Sequence, residues 1–166
     1  MARIWLIGMM GSGKTTVAPL VAARLGIAWH DTDQEVAGRG GAPVAELLAG
    51  DEAGFRRLER AEVVRLADSD AVIACGGGVV LDAATVALMR STGMVVLLDA
   101  PLDGLVSRVG AGESRPLLAE GVEPALARIA TARRALYQAA AHAVVDADGP
   151  PEAVAERVIE AWTTWS

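Results

Sequence analysis

Lys14 is the only lysine in a chain whose other 14 basic residues are all arginine. It is the penultimate residue of the run Gly8-Met9-Met10-Gly11-Ser12-Gly13-Lys14-Thr15, a full match to the G-x-x-x-x-G-K-[ST] loop that cradles a polyphosphate. The glycines let successive backbone N–H groups turn toward phosphate oxygens with no Cβ in the way, and the N-terminus of the following helix adds positive partial charge. Lys14, a compact charge on a flexible stem, is expected to reach the β- and γ-phosphates, and the Thr15 hydroxyl to hold Mg²⁺. Gly11, Ser12, Gly13 and Thr16 complete the expected nucleotide contacts.

Further along lie other residues able to do chemistry. Asp31 and Asp33 stand at i, i+2 in His30-Asp31-Thr32-Asp33. At the end of a strand, both carboxylates would face one side. The competing reading makes one of them the N-cap of a short helix, Gln34 to Ala37. Arg56 and Glu59 lie at i, i+3 of a helix, where a solvated ion-pair ladder is as good an account as an inward-facing cation. Gly76-Gly77-Gly78 follows an apolar strand directly, a place where backbone approaches a ligand closely or simply turns. Ser114-Arg115-Pro116 sits in a glycine-bearing stretch with the composition of a lid or of an ordinary connector. Cys75 reads as a small buried apolar residue and His30 as a partly exposed strand residue.

Certain elements must position these groups. Ile4 to Ile7 predicts a buried strand, and Val17, Leu20, Val21 and Leu25 a helix after the glycine loop. Gly38 to Gly41 predicts a break, Pro43 to Leu48 a short helix, and the stripe Phe55, Leu58, Val63, Leu66 a longer one. Strands follow at Ala71–Ala74, Met94–Leu98 and Ala143–Asp146. Helices are expected over 82–90, 101–109, 123–140 and 152–165, the last burying Val154, Val158 and Trp162, with Trp165 also packed. Pro19 inside the first helix removes a hydrogen bond to the Thr15 carbonyl and predicts a kink or loosened turn. Strands alternating with helices predict a parallel sheet covered on both faces.

The totals narrow the function. A chain of 166 residues that is 52% hydrophobic forms one folded domain by the usual length relation, here residues 1–166. A formal charge of −6 argues against nucleic acid and acidic membranes, and requires the few cations to converge in one cleft. The single cysteine excludes an internal disulfide and fits a reducing compartment. No targeting or membrane-spanning stretch is evident, so the cytoplasm is the expected location. GTPase chemistry is excluded because its N-K-x-D motif needs a second lysine. A motor or large ATPase fits poorly, since no apolar strand ends in a lone magnesium-binding Asp followed by a catalytic acid.

The phosphate loop, Asp31-Thr32-Asp33, Phe55-Arg56-Arg57-Leu58-Glu59, Gly76-Gly77-Gly78, Ser114-Arg115-Pro116-Leu117-Leu118 and Arg133-Arg134-Ala135-Leu136-Tyr137 occur in the order seen in shikimate kinases, which the chain resembles over nearly its whole length. The resemblance implies an α/β three-layer sandwich of the phosphate-loop NTPase type, with a five-stranded parallel sheet. It implies a substrate-binding region at about 32–60, a lid at about 110–122, and transfer of the ATP γ-phosphate to the 3-hydroxyl of shikimate. Carried over by position, Lys14, Asp33 and Arg115 are the catalytic residues and Thr15 and Asp31 serve Mg²⁺. Arg108 and Arg115 join the ATP site. Asp33, Arg56, Gly77, Gly78 and Arg133 bind shikimate. The family usually has Arg-x-Pro-Leu-Tyr where this chain has Ala135, so both Arg133 and Arg134 stand as candidates for the substrate side. A monomer is expected. A gluconate-type or nucleoside-monophosphate-type kinase, or a silent nucleotide-binding module, would share the phosphate loop without requiring Arg56, the glycines and Arg133 together.

Overall fold

The structure, a computed structural model, describes residues 1–109 and 121–166. Its strands are β1 (Arg3–Ile7), β2 (Ala28–Asp31), β3 (Ala71–Ala74), β4 (Met94–Asp99) and β5 (Ala143–Asp146). Its helices are α1 (Lys14–Leu25), α2 (Thr32–Gly40), α3 (Val44–Gly50), α4 (Glu52–Leu66), α5 (Ala83–Thr92), α6 (Leu102–Val109), α7 (Val122–Ala140) and α8 (Pro151–Trp165). The strands form one sheet in the order β2-β3-β1-β4-β5, with every pair parallel.

Both faces of the central strands are buried, which is why residues 4–7, 71–74 and 94–98 read as unbroken apolar runs. Alternation persists beneath that uniformity. Ile4 and Leu6 of β1 join α1 and α8 in one core with Val17, Val21, Val154 and Val158. Trp5 and Ile7 join α4 to α7 in the other, with Val63, Met89, Leu126 and Ile129. The strands therefore end side by side, and their C-terminal loops gather at one edge, where open parallel sheets bind ligands.

Three local expectations change. α2 starts at Thr32, so Asp31 closes β2 and Asp33 lies in the first helical turn; the two carboxylates are not partners on one strand face. The break expected over Gly38 to Gly41 is confined to Gly41, at φ 71°. Gly40 stays helical because its missing Cβ makes room for Leu47 of α3, whose Cδ1 would lie 2.7 Å away. Trp165 is 46% exposed rather than packed inside, and tilts against Trp162 and His142 with ring centroids 5.4 and 5.7 Å apart. α1 continues from Lys14 to Leu25 through Pro19, so whatever loosening the proline imposes does not end the helix. Cys75 is buried, as its surroundings in sequence suggest.

Candidate active site

The phosphate loop turns between β1 and α1, with Gly11 at φ 80° and Gly13 at φ 96°, both in the left-handed region that β-carbons disfavour. Gly13 is the N-cap of α1 and makes no side-chain cap, which leaves the first helical N–H groups directed into the loop. Lys14 Nζ donates to the carbonyls of Gly8 at 2.7 Å and Met9 at 2.9 Å, arching back over the cradle. Ser12 is buried, while Thr15 and Thr16 are exposed at the start of the helix. Arg108 ties the cradle to the far end of the sheet, donating to Gly11 O at 3.0 Å and Ala147 O at 3.1 Å.

Asp31 does two jobs that the sequence presents as rivals. Its Oδ1 accepts the Gln34 N–H and caps α2 at 3.1 Å, while its Oδ2 accepts the Thr15 hydroxyl at 2.8 Å. The neighbouring Thr32, fully buried, accepts the Gly76 N–H on Oγ1 at 3.0 Å and fastens the start of α2 to the end of β3. Asp33 is thereby brought to the glycine run: a β-carbon on Gly76 would lie 2.6 Å from Asp33 Oδ1.

The two arginines meet at the same place from different helices. Asp33, Arg56, Glu59, Gly76, Gly77, Gly78 and Arg133 line one narrow pocket of about 60 Å³, with Met10, Phe55, Val44 and Leu48 as apolar wall. Arg133 is 8% exposed, whereas Arg134, one helical step around α7, lines a different cavity. Geometry so separates the two candidates in the Arg-Arg pair. A β-carbon on Gly78 would strike the Arg56 guanidinium, while one on Gly77 would be in ordinary contact, 3.5 Å from Arg133 Nη1. Tyr137 donates its hydroxyl to Gly77 O at 2.5 Å and fixes that stretch of wall.

Glu59 is the residue that sequence reasoning missed. Its Oε1 accepts from Arg56 Nη1 at 2.9 Å, with Glu59 buried and Arg56 half-buried rather than in a fully solvated ladder. Burial raises its carboxyl to about 7 despite the opposing pull of the Arg56 charge. Glu59 Oε2 and Arg56 Nε have no partner among the described residues. The signal was present: Phe55, Glu59, Glu62, Val63 and Leu66 all fall on the buried stripe of α4, so two acids occupy positions that the pattern reserves for apolar side chains. Arg115 lies outside the described residues, as does most of the expected lid at 110–122.

The chain as a whole is similar to known proteins. The family model described as "SKI: Shikimate kinase" matches residues 10–163. A shikimate kinase of Streptomyces avermitilis is 43% identical over 162 residues, covering 96% of this chain and 94% of the relative. One from Moorella thermoacetica is 44% identical over 166 residues, covering 98% and 95%. Among solved structures, shikimate kinase from Acinetobacter baumannii in complex with shikimate superposes with a TM-score of 0.94 at 29% identity, covering 100% of this chain and 95% of that one. Deoxyadenosine kinase from M. mycoides, at a TM-score of 0.64 and 13% identity, shares the fold alone. With a family model spanning most of its length and relatives above 40% identity over nearly all of it, the chain belongs to the shikimate kinase family.

Proposed function

We propose that the protein transfers the γ-phosphate of ATP to the 3-hydroxyl of shikimate, giving ADP and shikimate 3-phosphate in the route to aromatic amino acids. The observation that carries this reading is the convergence of Arg56, Arg133 and Asp33 on one pocket beside the phosphate loop. Two guanidinium forks suit a carboxylate, and a carboxylate suits hydroxyl groups. The A. baumannii relative, which is described in complex with shikimate, supports the choice of ligand.

In this reading the loop N–H groups and Lys14 hold the β- and γ-phosphates, and Arg56 and Arg133 grip the substrate carboxylate. Asp33 accepts the proton of the attacking hydroxyl as the new P–O bond forms and the bond to the β-phosphate bridging oxygen breaks. Positioning and neutralisation of spreading negative charge are the main demands of phosphoryl transfer, so cations and one carboxylate are adequate equipment. Arg115 supplies a further cation from the lid, and Arg108 borders the adenine.

Thr15 Oγ1 and Asp31 Oδ2, 2.8 Å apart beside the loop, are hard oxygen donors suited to Mg²⁺. No cluster of three or more His, Cys, Asp or Glu side chains gathers among the described residues, which agrees with an ion held largely by phosphate oxygens and water. When bound, Mg²⁺ supplies charge neutralisation across the phosphates. No helix among the described residues is long and apolar enough to cross a membrane, and a cytoplasmic monomer completes the reading.

The test is a coupled ADP-release assay with ATP, Mg²⁺ and a panel of alcohols. Turnover is expected with shikimate, and turnover of gluconate or a nucleoside monophosphate in its place overturns the assignment. Asp33→Asn is expected to lower kcat by about 100-fold or more, the usual scale of a lost general base, while leaving ATP binding intact.

A further inference from the structure

A cavity of about 570 Å³ lies apart from the substrate pocket, in a hollow under α6, between α7 and the ends of β4 and β5. Its size falls within the range of sites that enclose a small organic ligand. The register between β4 and β5 builds its floor. Leu97 pairs with Val144 and Asp99 with Asp146, and all four line the cavity. Val145, between the two β5 residues, turns to the opposite face and packs with α8. The hollow therefore lies on the sheet face away from α1, the helix that carries the phosphate loop.

Its lining is chemically divided. Leu97, Leu105 and Tyr137 are buried and give an apolar floor. Asp99 and Asp146 stand next to one another on adjacent strands, and like charges in that relation repel. Across the cavity stands Arg134, successor to Arg133 on α7 and turned from it by the helical step of about 100°. Neither Arg134 nor Asp99 makes an ion pair or side-chain hydrogen bond with another described residue. A paired acid, an apolar floor and an opposed guanidinium match a molecule carrying an ammonium, an apolar body and a carboxylate.

The geometry points to a second ligand site here, for a small zwitterion with an apolar body, such as an amino acid with a large apolar side chain. The ammonium sits between Asp99 and Asp146, the carboxylate on Arg134, and the side chain on Leu97, Leu105 and Tyr137. The inference does not depend on which alcohol the enzyme phosphorylates.

Isothermal titration calorimetry on the full chain tests it, with shikimate and ADP present at saturation so that the substrate and nucleotide sites are filled. L-Phenylalanine is the probe, with phenethylamine and 3-phenylpropionate as its two halves. Saturable binding of phenylalanine is expected, with each half at least about tenfold weaker, equivalent to about 1.4 kcal/mol per lost group. Arg134→Ala and Asp99→Asn are each expected to weaken it at least about tenfold while turnover without phenylalanine stays at the parent rate. The assignment is overturned by the absence of saturable heat, by a half-ligand binding as tightly as the zwitterion, or by affinity that neither substitution changes.

Discussion

Glu59 shows how much one side chain can depend on its surroundings. At 4% exposure, held to Arg56 at 2.9 Å and close to Gly76, it keeps its proton well above the ordinary carboxylate range, to about 7. Because the folded state holds this proton more tightly than the unfolded chain, the contribution is full below about 4.5 and is lost as pH rises through about 7. Glu59→Gln should abolish that slope. Urea unfolding from pH 4.5 to 8 is expected to show wild type losing stability relative to the variant, by at most about 3 kcal/mol. A difference that does not vary with pH would remove Glu59 as the cause. The glycine wall makes a second case, since Gly78 leaves room for the Arg56 guanidinium whereas a β-carbon on Gly77 would make only ordinary contacts. Gly78→Ala is expected to raise the shikimate KM by about tenfold, or 1.4 kcal/mol, while Gly77→Ala changes it by less than about twofold. Thermal melts of both should stay close to the parent, because the Arg56 side chain can swing aside without disturbing the core.

Among the elements, α3 stands out because none of its residues is fully buried, yet it contributes Val44 and Leu48 to the pocket lined by Asp33, Arg56 and Arg133. A short helix whose apolar residues are at most half-buried opens at low free energy, and the remaining space of about 60 Å³ leaves shikimate little room unless a wall moves. Hydrogen exchange is expected to be fast across 44–50 and slow across α1 and β1, with protection of α3 rising when shikimate is added. Equal protection of α3 and α1 in the free protein would contradict this. The opposite condition holds at the start of α2, where Asp31 caps the helix and holds Thr15 while Thr32 binds the Gly76 N–H. One four-residue stretch thus couples the phosphate loop to the glycine wall, and the helix it begins delivers Asp33 between them.

At the scale of the whole molecule, the formal charge of −6 coexists with an anion site because the sheet collects cations at one edge. Lys14 follows β1, Arg56 comes from α4, Arg133 from α7 and Arg108 from α6. Arg108 links the loop after the central strand β1 to the loop after the outer strand β5 through Gly11 O and Ala147 O, so it holds the cradle's attitude. Arg108→Ala is expected to raise the ATP KM several-fold while moving the unfolding free energy by less than about 1 kcal/mol. Loss of stability well beyond that figure, with an unchanged ATP KM, would make it a purely structural tie.

The sequence by itself determined the phosphate loop, the parallel sheet and the positions of β3 and β5, because those signals are local. Glycine spacing, a lone lysine and runs of apolar residues need no knowledge of distant partners. It also brought Asp31, Asp33, Arg56, Gly76 to Gly78 and Arg133 forward as candidates. What only tertiary structure decided depends on which face a helix presents and what lies across from it. Arg133 turns into the pocket shared by Asp33 and Arg56, and Arg134 into another cavity, although they are adjacent in sequence. Glu59 becomes a buried partner of Arg56 because α4 packs its stripe under the glycine wall. Asp31 is both cap and Thr15 acceptor because β2 ends alongside α1, and a carboxylate has two oxygens to share between them.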